Sequence, residues 1–211
     1  MSLRTYLQQH FVDKPMFASL VGIPTNHLDE LIAAQAIPSA TYTCDQNTVH
    51  SAAFGVMECK EPLVGEYFRP QCVRWAKIAA QAPRGSERAA VLTELTAELR
   101  AALGDYCGED ADALESRIRG YIPHFCNGTF GLCVADPSSG AGIARKEMLQ
   151  ERLARLTENG SNPSPSGISR QELLRLIDDY AASAMPFSPA EYQRSSRKRL
   201  VDDLRPIAAK A

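Results

Sequence analysis

The stretch TCDQNTVHSAAFGVMECKEPLVGEYF, residues 43–68, decides how the chain is classed. It holds aromatic and β-branched residues but little helical periodicity, and Pro62 and Gly65 interrupt it. Such a segment supports neither a long amphipathic helix nor a long alternating strand. It reads as irregular, with at most two short strands. The chain around it then sets the class, and that class is mainly α.

Downstream, helical spacing dominates residues 69–157. In RPQCVRWAKIAAQA, Val73, Ala76, Ile78 and Ala80 gather before Pro83 and Gly85 end the run. In SERAAVLTELTAELRAALG, Val91, Leu92, Leu95, Leu99 and Leu103 recur at helical spacing, with Gly104 placed to terminate the helix. DADALESRIRGYIPHF continues with Leu114, Ile118 and Tyr121, and Pro123 is expected to kink or end it. A stripe of Leu149, Leu153 and Leu156 follows, closed by Gly160.

ENGSNPSPSG, residues 158–167, has the composition of a linker. Beyond it, Ser169 and Glu172 form a capping-box pattern, with Ile168 placed to staple onto Leu173. Ser188 and Glu191 repeat the pattern, with Pro189 at the first helical position and Phe187 stapling onto Tyr192. The expected organisation is a helical unit over 1–42, an irregular segment and helical core over 43–157, the linker 158–167, and a C-terminal helical pair over 168–211 packed on the core.

Upstream, FASLVGIPTNHLDELIAAQAIPSATY (17–42) has Ala18 and Gly22 four residues apart, with Phe17, Val21, Ile23, Leu28 and Leu31 at set apolar offsets. Segment 14–33 resembles the helix-turn-helix family, in which the small residue allows close helix crossing and the glycine takes a positive φ. Pro24 stands where the family places Ser or Thr, leaving Thr25 to cap. The fold class that results is a mainly α chain: a helix-turn-helix-like unit followed by a helical bundle.

The family resemblance implies DNA binding, but the charges oppose it. The groove-facing positions would be Thr25, Asn26, Asp29 and Glu30, and residues 15–42 contain no Lys or Arg. Like charges about 4 Å apart repel by roughly 1 kcal/mol even in bulk water. The whole chain carries a formal net charge of −2, without the basic surplus that phosphate neutralisation requires. The basic run Arg194, Arg197, Lys198 and Arg199 is followed by Asp202 and Asp203, which can pair with it at i,i+4. It reads as a solvated face or as a seat for an anionic partner. DNA is therefore not the expected partner; another protein or a peptide is.

The densest candidate for chemistry is HFCNGTFGLCVADPSSGAGIARKEML, residues 124–149. His124, Cys126 and Cys133 could form a thiol site, although on a helix His124 and Cys126 would point about 200° apart. Zinc ligands come in closely spaced pairs, which these cysteines do not form, so no metal and no cofactor are expected. Ser139, Arg145 and Lys146 at a helix start could hold an anion. The packing alternative is a buried turn in which Phe125, Phe130, Leu132 and Val134 point inward.

The N-terminus shows no signal-peptide pattern, and no apolar run approaches the roughly 20 residues of a membrane span. A cytoplasmic protein with its six cysteines reduced is expected. Two stretches together, YLQQHF…LDELIAAQAIPSATY and HFCNGTFGLCV…IARKEML, resemble a bacterial family of unknown function associated with natural-product biosynthesis. That resemblance implies an accessory role in making a secondary metabolite; the absence of a catalytic pattern and the acidic exposed positions of the helix-turn-helix shape make the expected role non-catalytic, holding a peptide, carrier protein or modifying enzyme. The alternatives are a small cysteine- or metal-dependent enzyme and a DNA-binding regulator.

Overall fold

A computed structural model describes residues 2–107 and 110–210. Helix α1 (Leu3–His10) leads into a two-residue strand, β1 (Val12–Asp13), then α2 (Lys14–Val21) and α3 (Thr25–Ala33). Two long strands follow, β2 (Tyr42–Ser51) and β3 (Gly55–Phe68). Seven α-helices follow among the described residues: α4 (Val73–Gln81), α5 (Glu87–Cys107), α6 (Ala111–Cys126), α7 (Thr129–Cys133), α8 (Gly140–Leu156), α9 (Arg170–Ser183) and α10 (Leu204–Ala208).

Residues 43–68 are thus the main correction to the sequence reading. They form most of a three-stranded antiparallel sheet of order β1-β3-β2, with strands of ten and fourteen residues instead of at most two short ones. The reason is a register break. Gln46 pairs with Leu63 and Thr48 with Glu58, so one residue of β2 faces four of β3. Across the break the inward parity switches: Tyr42 and Cys44 are buried before it, Val49 and Ser51 after it. Alternation is erased in the sequence although each half obeys it. Pro62 falls within the break, and Val56 and Val64 lie on the solvent side at 70% and 71% exposure.

The same break folds the hairpin back. A straight ten-residue strand spans about 33 Å, yet the Ala52 N–H donates to the Thr41 carbonyl at 3.0 Å. Phe54 at the tip then packs edge-on against Phe187, centroids 5.7 Å apart.

Gly22 takes φ +88° at the end of α2, and its N–H donates to the carbonyls of Ala18 and Ser19. Phe17, Ala18, Val21, Leu28 and Leu31 are buried between α2, α3 and the sheet. The cap of α3 is Pro24 without a side-chain hydrogen bond, so Thr25 is the first helical residue rather than the cap. Asp29 and Glu30 are exposed. Lys14 is held between Asp29, at 2.5 Å, and Glu66, which ties α2 to α3 and β3.

Val91, Leu95, Leu99 and Leu103 are fully buried along α5, which continues past Gly104 instead of stopping there. On α4 the buried face is Trp75, Ala76 and Ala79, in place of the stripe read from Val73, Ile78 and Ala80. Helix α6 runs through Pro123 to Cys126 rather than ending at it. One hydrophobic cluster runs from Leu3 through the sheet and α4–α8 to Phe187. A second joins Leu153 of α8 to α9 and the C-terminal helix.

Ser169 and Glu172 form the full capping box of α9. Ser188 and Glu191 do not form a second one: that segment is a turn and a short 3-10 helix (Tyr192–Arg194). The last helix starts after Ser195, whose Oγ accepts from the Lys198 N–H at 3.1 Å. It passes through a π-helical stretch, Lys198–Asp203. There Lys198 pairs with Asp203 at i,i+5, 2.6 Å, and not at i,i+4. Glu191 instead lies fully buried and accepts from Tyr42 Oη (2.5 Å) and Ser188 Oγ (2.7 Å).

Candidate functional site

A cavity of about 420 Å³ opens between α6, α7 and α8. Helix α6 lines it with Arg117, Gly120, Tyr121 and His124, the i, i+3, i+4, i+7 positions that share one helix face. Its opposite wall is Lys146, Glu147 and Gln150 of α8. Short α7, begun at Gly128 with φ +83°, supplies Thr129, Phe130 and Cys133. A side chain at Gly128 would also strike the Ser39 carbonyl at 2.7 Å, so glycine is required for α7 to sit this close.

The walls are part aromatic, part ionic. Tyr121 and Phe130 meet edge-on at 5.8 Å, and His124 lies 6.1 Å from Phe130. The side chain of Lys146 is only 4% exposed, and Nζ donates to Glu147 Oε1 at 2.8 Å. Burial opposes its charge, but the net direction is above the usual lysine value: at neutral pH the adjacent Glu147 carboxylate supports the ammonium, and Cys133 and Tyr180 add to this only at alkaline pH where they ionise. The side chain is therefore an ammonium at neutral pH. Burial pushes the Cys133 thiol up, against the opposing pull of Lys146, so it stays protonated. Arg117 is paired with Glu151 at the rim. Tyr180 Oη lies 3.2 Å from Gln150 Oε1 and 2.8 Å from Ser196 Oγ.

The sequence candidates separate. His124, Cys133 and Lys146 line one cavity. Cys126 does not, because α6 is helical there and turns it away: its Sγ donates to the Gln35 carbonyl at 3.7 Å, and Arg88 lies beside it. Ser139 is the cap of α8, accepting from the Gly142 N–H at 3.0 Å. The helix start already holds an anion from the chain, since the Gly140 N–H donates to Glu98 Oε2 at 2.6 Å. Arg145 pairs with Asp179 at 3.3 Å. Arg194 stacks over Phe54 at 5.1 Å. Arg197 donates to the Ala181 and Ala184 carbonyls at 2.7 and 3.0 Å, closing the end of α9.

Arg117, Tyr121, Glu147 and Gln150 were missed by motif reading. Their available signal was the face of α6, where arginine, glycine, tyrosine and histidine follow one another at helical spacing. Cys44, Cys59, Cys72, Cys126 and Cys133 are free thiols; the Cys107 side chain lies outside the described residues. Among the described residues no three His, Cys, Asp or Glu side chains are grouped to hold a metal ion, and no helix is long and apolar enough to cross a membrane.

No match was found among curated proteins or among solved structures. Residues 86–208, from the start of α5 to the end of α10, match a family of unknown function, DUF6058. The match contains every residue lining the cavity and covers more than half of the chain, so the chain belongs to this family.

Proposed function

We propose that this chain is a non-catalytic binding protein, an accessory of bacterial secondary-metabolite biosynthesis. It would hold a peptide, a carrier protein or a modifying enzyme. The observation that carries the binding role is the cavity beside α6 and α8. It is large enough for a small ligand group, mixes aromatic walls with a few polar groups, and keeps its nucleophile candidates as thiol and ammonium. The biosynthetic setting rests on the sequence resemblance alone. The exposed acids on α3 favour a protein partner over a duplex.

The second reading, a cysteine-dependent enzyme, draws on His124 and Cys133 sharing the cavity. Residue-resolved alkylation separates the two. With iodoacetamide at pH 7, Cys133 should react more slowly than free cysteine, because only the thiolate attacks. Alkylation faster than free cysteine, persisting at pH 6, would show an activated thiolate and sink the non-catalytic reading.

A further inference from the structure

The cavity between α6, α7 and α8 sets a charged wall against an aromatic one. On the α8 side, Lys146, Glu147 and Gln150 use only part of their hydrogen-bonding capacity. An ammonium has three N–H donors, and Glu147 Oε1 takes one of them at 2.8 Å. Gln150 Oε1 accepts from Tyr180 Oη at 3.2 Å. Glu147 Oε2 and the Gln150 amide nitrogen have no partner among the described residues. The Lys146 side chain is nearly closed off from solvent, where a further charge partner is screened least. On the other side, Tyr121 and Phe130 meet edge-on with His124 beside them, a surface suited to another ring. Arg117 at the rim is neutralised by Glu151, so the charges left inside are one ammonium and one carboxylate. That balance favours a ligand carrying both signs over a net anion or a net cation.

We infer that the cavity binds a free α-amino acid with an aromatic side chain, its carboxylate on Lys146 and its ammonium on Glu147. This inference rests on the binding role proposed above and names a ligand class for the same cavity. Charges then alternate around a ring of four groups, and the Gln150 amide N–H supplies a second donor to the carboxylate. A peptide has an ammonium at one end and a carboxylate at the other. A free amino acid carries both on one carbon, which matches two side chains whose charged atoms lie 2.8 Å apart. Its ring then packs against Tyr121 and Phe130.

Calorimetric titration of the full chain at pH 7 tests the assignment, with L-phenylalanine, 3-phenylpropionate, 2-phenylethylamine and L-alanine as probes. Phenylalanine should bind at least about tenfold more tightly than either phenyl analogue, because each lacks one charge-assisted contact. It should also bind more tightly than alanine. Glu147→Gln should erase the preference over 3-phenylpropionate and keep that over 2-phenylethylamine; Lys146→Met should do the reverse. A purely structural role predicts no such crossed pattern. Should Lys146→Met fail to fold, Glu147→Gln alone decides. Saturating phenylalanine should slow alkylation of Cys133, which lines the same cavity. Equal binding of phenylalanine and the two phenyl analogues overturns the paired-charge assignment. Equal binding of alanine overturns the aromatic one, and unchanged alkylation of Cys133 overturns the placement. Absence of binding by all four probes overturns the ligand class, while the non-catalytic reading stands or falls on alkylation of the ligand-free chain.

Discussion

Two of the buried polar clusters among the described residues are built differently. The first joins Tyr6, Tyr42, Ser188 and Glu191, each fully buried, between the sheet and the segment after α9. Tyr6 donates to the Pro186 carbonyl at 2.8 Å, and Tyr42 and Ser188 donate to the same oxygen of Glu191. None of these four residues lines the cavity beside α6 and α8. The second centres on Lys146, whose Glu147 partner is 23% exposed and lines a cavity. A sealed cluster serves only the fold, because its donors are consumed internally and its one unpaired acceptor, Glu191 Oε1, is buried. A cluster that borders open space keeps hydrogen-bonding capacity for something else. Chemistry-bearing residues are thus sorted by what lies beside them as much as by their type.

The sharpest way to break this comparison is Glu191→Ala. It strips the acceptor from two buried hydroxyls and leaves a void, a loss of roughly 2–5 kcal/mol. Chemical denaturation should show it as a lower midpoint with an unchanged slope. A loss below about 1 kcal/mol would mean the cluster relaxes freely, and the contrast with the cavity would disappear.

Alkaline pH probes the same cluster without a variant. Burial raises the Tyr6 and Tyr42 hydroxyls above their ordinary value of 10.0, and the neighbouring Glu191 raises both further. Burial likewise pushes the Cys72 thiol up to about 12. A group whose folded pKa is raised holds its proton more tightly when folded, so its contribution is complete below the unfolded pKa and is lost as pH climbs past it. Stability should begin to fall near pH 9 with the thiols and steepen above pH 10 with the tyrosines. Tyr42→Phe should flatten the upper part of that decline; an unaltered decline would place the titration elsewhere.

Lys146→Met is the matching change in the open cluster. Methionine fills the apolar stem's space, and Glu147 retains access to solvent. The cost should be about 1 kcal/mol or less, well below that of breaking a sealed pair. A loss as large as that of Glu191→Ala would show that the cavity is a structural joint, not a binding site.

What could be read from the sequence follows the range of each interaction. The α9 capping box is local, completed within four residues, and Ser169–Glu172 announce it fully. Ser188–Glu191 carry the same letters at the same spacing, but Tyr42 claims the carboxylate from 149 residues away. Short-range patterns hold no information about that competitor. The sheet was hidden for a related reason: the four-against-one register break switches inward parity midway, so neither half is long enough to show its period. In the candidate site, His124, Cys133 and Lys146 were legible as residue types. Their convergence depends on α7 turning at Gly128 and packing beside α8, a tertiary fact with no sequence period.

The smallest effect isolates the cavity from the fold. Gly120 sits within α6 on the cavity wall, and a methyl group there would meet no atom within 4 Å. Replacing a helical glycine with alanine should therefore stabilise the protein by about 0.5–1 kcal/mol through the backbone entropy of the unfolded chain. The same space admits a larger group, so Gly120→Leu should retain stability near the wild type while projecting into the ligand's volume. Filling the cavity should then slow alkylation of Cys133 by iodoacetamide, with the melting temperature unchanged or raised. Slower alkylation accompanied by loss of stability would make the glycine a packing residue. Unchanged alkylation would show that Cys133 is not reached past α6, and the open cluster would then be as silent as the sealed one.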